Sequence, residues 1–271
     1  MIARSYLFVP GNKPALMVKA LNSDADAVIF DLEDAVPPQD RDEARGHIVD
    51  ALRRTEHSRR IWVRVNRAGT DECHDDLAAV GPFAGGIRVP KVEAAAELEW
   101  VSERVCGVPL IAAVESAQGL SRATEIASCP NLVSLALGGV DLMHDLGCSH
   151  SSPILGFARC QLVVASRAAG LPGPINSLYP NLDDIEGLRR HAEEAAVLGF
   201  RGQSVVSPRQ VAVVNEVYSA NADLRAWAVE VIEAFDASGG QPTRTSTGEF
   251  VDLPVARRAR AILSSGLPAQ G

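Results

Sequence analysis

The residues best able to do chemistry recur along the chain, each close to the end of a short apolar run. Asp31-Leu32-Glu33-Asp34 follows AVIF, Arg64-Val65-Asn66 closes IWV, Pro90-Lys91 follows GIRV, and Glu115 follows LIAAV. Gly138-Gly139 then leads from VSLAL to Asp141. Glu115 and Asp141 end neighbouring runs and form a candidate metal pair. Two hard carboxylate oxygens that leave several positions open suit Mg²⁺, or Mn²⁺ in its place, because these ions keep waters and accept substrate oxygens. The structural alternatives are a helix N-cap after Ser116 for Glu115 and a helix cap for Asp141.

Arg64 carries a charge in an otherwise apolar segment, which is costly unless the group is paired or lines a site. At a site, its guanidinium could hold a substrate oxygen that becomes negative in the transition state. A structural ion pair is the alternative. Asp31, Glu33 and Asp34 are placed to orient metal-bound waters, and Asp31 and Glu33 count among the substrate-side residues. Asp34 could equally pair with Arg41 or Arg45. His74, His144 and His150 fit no triad or metal spacing and read as surface or loop residues.

These groups need a scaffold that brings strand ends together. Eight short β-rich runs are legible: Tyr6–Val9, Ala27–Leu32, Ile61–Val65, Gly86–Val89, Leu110–Val114, Val133–Leu137, Pro174–Leu178 and Ser204–Val206. Helical patterns separate them at Ala15–Leu21, Asp42–Arg53, Asp75–Val80, Ala94–Val105, Leu120–Ser128, Ile154–Ala169, Asp184–Leu198 and Pro208–Tyr218. Fully apolar strands alternating with helices predict a parallel sheet covered on its outer face. Eight such units predict a (β/α)8 TIM barrel over residues 1–220, with active groups at the C-terminal ends of the strands. An open doubly wound sheet is the alternative. Residues 221–271 read as a helical extension. It holds a helix at Ala222–Ala237, a polar linker SGGQPTRTSTGEF, and an amphipathic helix in VDLPVARRARAIL whose apolar face (Leu253, Val255, Ala259, Leu263) is free to dock on a neighbouring barrel.

Bulk properties exclude several classes. At 271 residues and 46% hydrophobic content the chain fills a large core and is not disordered. A net charge of −8 argues against nucleic acid as the main partner, since phosphate binding needs a basic field. The five cysteines, Cys73, Cys106, Cys129, Cys148 and Cys160, show no CxxC or ligand spacing and read as reduced thiols of a cytoplasmic protein. No signal-peptide layout and no run of about 18 apolar residues appears, so no membrane segment is expected.

Several spaced segments, in register through nearly the whole chain, carry a resemblance. RSYLFVPGNKPALMVKA, AVIFDLEDAV, WVRVN, RVPKVE, AAVESAQGL, LALGGVDL and the tail motif GEFVDLP resemble the citrate lyase beta subunit-like family, relatives of malyl-CoA, citramalyl-CoA and citryl-CoA lyases. The resemblance implies a Mg²⁺-binding barrel, usually a homotrimer. It implies that Glu115 and Asp141 ligate Mg²⁺ and that Arg64 contacts the 2-oxo acid or the enolate. It also places Phe8, Lys13 and Lys19 near a coenzyme A thioester, the two lysines meeting its phosphates. Asp252 matches the family's catalytic carboxylate, reaching the site of an adjacent subunit. Read from the residues alone, Asp252 is a helix N-cap before Leu253-Pro254.

Two positions depart from the family pattern. Ile175-Asn176-Ser177 stands where relatives usually have Asp after strand 7, and Val206-Ser207-Pro208 stands where they usually have Ile-His-Pro after strand 8. Both are expected on the catalytic face. The expected activity is reversible carbon–carbon cleavage of a 3-hydroxyacyl-CoA to acetyl-CoA and a 2-oxo acid, with thioester hydrolysis following in some relatives. Two rivals remain: a pyruvate-type class II aldolase that works without coenzyme A, and a metabolite-binding subunit that has lost turnover.

Overall fold

All eight apolar runs form strands. In the computed structural model, which describes residues 3–55, 60–149, 152–219 and 222–264, the strands are β1 (Ser5–Pro10), β2 (Ala27–Asp31), β3 (Ile61–Arg64), β4 (Gly86–Val89), β5 (Leu110–Val114), β6 (Leu132–Leu137), β7 (Ile175–Asn176) and β8 (Gly202–Val205). They pair in parallel in chain order, and β8 returns to β1, closing a TIM barrel. Strands buried on both faces explain the unbroken apolar runs, since no face needs alternating polar residues.

The helices α1 (Pro14–Leu21), α2 (Arg41–Arg54), α3 (Asp71–Val80) and α4 (Ala95–Ser102) follow the first four strands. After β5 the single expected helix is two, α5 (Ala117–Ser121) and α6 (Ala123–Ala127), which meet at the non-helical backbone of Arg122. A helix that the sequence pattern did not show, α7 (Gly139–Leu146), follows β6. Its opening glycine is a poor helix former, so the stretch reads as a loop. Then come α8 (Pro153–Ala168), α9 (Ile185–Leu198) and α10 (Pro208–Ser219). Among the described residues no helix is long and apolar enough to cross a membrane.

Alternation along each strand splits the buried side chains into two layers. Tyr6, Ala27, Ile29, Ile111, Ala136 and Ile175 pack together inside the barrel, with Phe8 and Trp62 against them. The Trp62 ring takes its place because its neighbour across the ladder is Gly86, where a Cβ would lie 2.3 Å from that ring. The outer layer contains a polar clamp on β3. The wholly buried Asp76 of α3 accepts Arg45 Nε of α2 at 2.7 Å, and the backbone and side-chain N–H of Asn66 at 2.8 Å each. Asn66 also donates to the carbonyl of Leu32 at 3.0 Å. These bonds lock the ends of β2 and β3 together and turn the Asn66 amide away from the barrel mouth.

The chain divides after Asn215 into two compact units. The second holds α11 (Ala222–Ala237), α12 (Leu253–Ser264) and, within the stretch read as a linker, a short antiparallel pair β9 (Thr243–Arg244) and β10 (Phe250–Val251). Hydrogen bonds made by Thr245 within its own turn stabilise that hairpin, which apolar patterning could not reveal. The apolar face of α12 is mostly occupied within this unit. Ala256 and Ala259 are buried with Ala228, Val231, Phe235 and Val251, and Val255 and Leu263 pack on that core. Leu253, 45% exposed, remains outward. The face expected to dock on a neighbour therefore serves its own unit first, because α11 supplies a closer apolar partner.

Asp76→Ala would remove the buried acceptor of Arg45 Nε and of two Asn66 donors. It should cost about 3–5 kcal/mol of stability, read as a lower midpoint in urea unfolding, and a loss under about 1 kcal/mol would show that the clamp does not hold the strand ends.

Candidate active site

The strand ends converge as a barrel requires, and they do so around Arg64. Its fork grips Asp31: Nε donates to Oδ1 at 2.7 Å and Nη2 to Oδ2 at 2.6 Å. Nη1 lies 3.0 Å from Glu33 Oε2 and 3.5 Å from Asp34 Oδ2. Asp31 is 1% exposed and also accepts the N–H groups of Glu33 and Ala35 at 3.0 and 3.2 Å. With four donors its oxygens are saturated. Asp31 therefore orients Arg64, in place of the expected water or substrate contact. Asp34 pairs with Lys91 at 3.2 Å and with Arg64. Arg41 and Arg45 turn instead to Glu72 and Asp76.

Lys91 anchors the other side. Its Nζ lies 2.6 Å from Glu33 Oε1, and its backbone sits at φ 52°, in the left-handed region where a side chain is strained. That strained turn, just after β4, aims the ammonium back at Glu33. Burial pushes the Glu33 carboxyl up even though Arg64 and Lys91 oppose it. Burial would lower the Arg64 pKa, but Asp31, Glu33 and Asp34 outweigh it, and the guanidinium stays charged.

Glu115 follows β5 and is 6% exposed. The cap of α5 is the adjacent Ser116, whose Oγ accepts Gly119 N–H at 3.1 Å, so Glu115 is not spent on capping. Its Oε2 is buried without a hydrogen-bond partner. Burial, together with the negative charges of Glu33 and Asp141, pushes its carboxyl up to about 7, against the pull of Arg88 and Arg64. Asp141 lies exposed in the first turn of α7, close enough to act on Glu115 electrostatically. Gly138 makes room for this arrangement, since a Cβ there would lie 2.2 Å from Glu115 Cγ.

These residues fit a dication. Asp31, Glu33, Asp34, Glu115 and Asp141 bring five carboxylates against the three cations Arg64, Arg88 and Lys91, an excess of two negative charges when all are ionised. Glu115 also offers an unsatisfied oxygen at the centre of that excess. No group of three or more His, Cys, Asp or Glu side chains forms an all-protein metal cage among the described residues. Two carboxylates with open positions match the habit of Mg²⁺.

Arg88 was not among the expected site residues. It projects into the barrel from β4, 4% exposed, and stands over the Phe8 ring at 5.0 Å while Arg64 does so at 5.1 Å. Burial lowers its pKa to about 10, with Glu115 acting in the opposite sense. A charge within the apolar run GIRV is the same signal that marked Arg64 in IWVR. Phe8 is thus shared by two guanidinium groups, a cation–π arrangement that holds both over the barrel interior.

The remaining expected residues lie elsewhere. Lys13 and Lys19 are exposed, one at the N-cap of α1 and one in its last turn. Asp252, in the second unit, accepts Val255 N–H at 3.1 Å as the N-cap of α12. Of the residues at the two departures, Asn176 and Ser207 do not join the strand-end cluster, whereas the buried Ser177 packs against Gly139 after β6, where a Cβ would lie 2.8 Å from the Ser177 hydroxyl. Asn176 points outward between β7, β8 and α9, donating to Gln203 Oε1 at 3.1 Å beside His191. The Ser207 hydroxyl accepts Arg209 N–H at 3.3 Å at the start of α10. His74 and His144 are exposed, and His150 lies outside the described residues. The five cysteines are free thiols.

Fold and site together define a TIM-barrel protein with a cluster of carboxylates and guanidinium groups at the C-terminal ends of its strands. The chain belongs to the HpcH/HpaI aldolase/citrate lyase family, whose model matches residues 4–208. It is 35% identical to the citrate lyase subunit beta of Leuconostoc mesenteroides subsp. cremoris, over 97% of this chain and 92% of that one. It is likewise 35% identical to a (3S)-malyl-CoA thioesterase of Cereibacter sphaeroides, over 92% of this chain and 89% of that one. Among solved structures, the protein CitE of Mycobacterium tuberculosis, in complex with magnesium, acetoacetate and coenzyme A, superposes with a TM-score of 0.82. That pair is 30% identical and covers 96% of this chain and 97% of the other.

A metal held by Glu115 would compete with a proton, because burial pushes that carboxyl up to about 7. Mn²⁺ affinity, measured by calorimetry, should be steady above pH 8 and fall by up to about tenfold per unit as pH drops below 7. An affinity unchanged down to pH 5 would remove Glu115 from the site.

Proposed function

We propose that the chain is a Mg²⁺-dependent carbon–carbon lyase that cleaves or forms a 3-hydroxyacyl-CoA of the malyl-, citramalyl- or citryl-CoA kind, with acetyl-CoA and a 2-oxo acid on the other side of the equilibrium. The carrying observation is Glu115, whose buried Oε2 has no hydrogen-bond partner, within electrostatic reach of Asp141 and of the Arg64 ion cluster. Glu115 and Asp141 would hold the ion, Mg²⁺ or Mn²⁺, which when bound supplies Lewis-acid stabilisation and a template for adjacent substrate oxygens. The family relationship supports this reading, as do relatives whose own names concern citrate lyase and malyl-CoA.

In the cleavage direction the 3-hydroxyl loses its proton and the carbon–carbon bond breaks. Its electron pair passes into the thioester as an enolate, which then takes a proton on carbon. Arg64, fixed by Asp31, Glu33 and Asp34, directs its positive charge at the oxygen of the nascent 2-oxo acid. A guanidinium already held in place costs no reorganisation as charge develops. Phe8 and the buried strand ends exclude water. Lys13 and Lys19, exposed on α1, meet the phosphates of coenzyme A. Asp252 transfers the proton at the acetyl carbon, from an adjacent subunit of a homotrimer or a multiple of it. Hydrolysis of the same thioester is a second step to be read in parallel, favoured by the thioesterase relatives.

Purified protein with Mg²⁺ should turn over at least one of malyl-, citramalyl- or citryl-CoA, with 2-oxo acid and free thiol measured together. Cleavage of a 2-oxo acid aldol without any thioester would favour the pyruvate-type aldolase instead. Asp141→Ala should bind Mg²⁺ at least about tenfold more weakly with an unchanged melting temperature, because the residue is exposed at the barrel mouth and not in its core. Equal Mg²⁺ affinity in that variant, by calorimetry, would sink the metal pair. Asp141→Ala and Asp252→Ala proteins, each inactive, should regain part of the activity when dissociated and re-assembled together. Silence in properly mixed oligomers would place Asp252 in its own chain's site or outside the reaction.

A further inference from the structure

Arg88 carries a guanidinium inside the barrel whose hydrogen-bonding capacity its surroundings do not satisfy. Its register partner is Arg64, so the two side chains stand next to each other on adjacent strands. Arg64 spends its donors on Asp31, Glu33 and Asp34. Arg88 has a long contact to Ser204 Oγ at 3.4 Å, and its Nε is buried with no partner. No carboxylate lies within ion-pair distance of it among the described residues, although Glu115 is near enough to be felt. A guanidinium has five N–H donors in a rigid fork. Leaving Nε unmet and Nη1 on one long contact in a residue that is 4% exposed is expensive, and the cost is recovered if an anion arrives.

We propose that Arg88 is a specificity-determining residue, placed to receive a second carboxylate on the acid half of the substrate. This rests on the reading that the barrel mouth binds a 2-oxo acid. The first carboxylate and its neighbouring oxygen belong with the cation that Glu115 and Asp141 would hold and with the oriented fork of Arg64. Arg88 lies beside that pole, over the same Phe8 ring. A carboxylate matches its fork with two parallel hydrogen bonds. A methyl group in that place would leave the guanidinium as unmet as before. The site therefore favours a dicarboxylic 2-oxo acid over a monocarboxylic one. If Arg88 were instead a clasp on Phe8, both acids would depend on it equally.

The test compares oxaloacetate with pyruvate, which differ by one carboxylate, in the presence of Mg²⁺, with binding read by tryptophan fluorescence. The wild-type protein should bind oxaloacetate about tenfold or more tightly than pyruvate, since a site built to hydrogen-bond one group rejects the analogue lacking it. Arg88→Gln should reduce that preference to under about threefold and leave pyruvate affinity within about threefold of wild type. Retention of the preference in Arg88→Gln, equal weakening of both acids, or no preference in the wild type would each overturn the assignment. Should Arg88→Gln not fold, Arg88→Lys decides, because it keeps the charge and loses the fork. A preference cut at least about threefold supports the proposal, and an unchanged one overturns it. If wild-type protein binds Mg²⁺ and neither acid, the acid-binding reading itself fails, and the proposal with it.

Discussion

The two-point bond between Arg64 and Asp31 is the constraint around which the barrel mouth is arranged. Asp31 ends β2 and Arg64 ends β3, and the two residues are register partners in the ladder. Asp31 is held from behind by the backbone of its own turn, so it cannot swing, and the fork it grips cannot swing either. Glu33 and Asp34 are drawn to the same guanidinium, and Lys91 is drawn to them through a strained backbone. The clamp of Asp76 on Asn66 and Arg45 holds the same strand ends from outside. Orientation therefore passes from the packed outer layer to the reacting face through a short series of saturated polar groups.

Saturation on one side of the mouth leaves the other side in deficit. Asp31 has every lone pair answered, whereas Glu115, two strands beyond Arg64, has a buried oxygen with none. Packing like charges together in a buried site is unfavourable unless something positive completes it. The same logic runs in reverse for Arg88, a cation short of acceptors. The barrel thus carries one unmet anion and one unmet cation within electrostatic reach of each other, yet outside ion-pair distance. An internal pair would have silenced both. Their separation keeps both available to what enters.

The two departures from the family pattern show how residue identity and residue role separate. By the resemblance, Asn176 and Ser207 are expected on the catalytic face, in place of a carboxylate and an imidazole. In the fold Asn176 belongs to the layer between β7, β8 and α9, and Ser207 starts α10. A strand sends successive side chains to opposite faces, so a shift of one residue decides between core layer and barrel interior. Position along the chain says which strand end a residue occupies, and parity says which way it points.

The sequence by itself determined the barrel. Eight apolar runs with helical spacers admit few other closures, because a parallel strand buried on both faces needs partners on both edges and cover outside. It also determined which strand ends bear charge, and Arg64, Glu115 and Asp141 stood out because ionised groups are costly next to apolar runs. Tertiary structure alone decided who pairs with whom. Asp34 meets Lys91 and not Arg41, Asp31 grips Arg64, and α12 packs on α11. Those choices depend on distances of a few ångströms between residues far apart in the chain. Spacing along a sequence carries hydrophobic period and local turn chemistry, but the partners of a charge are set by which strands the closed barrel brings side by side.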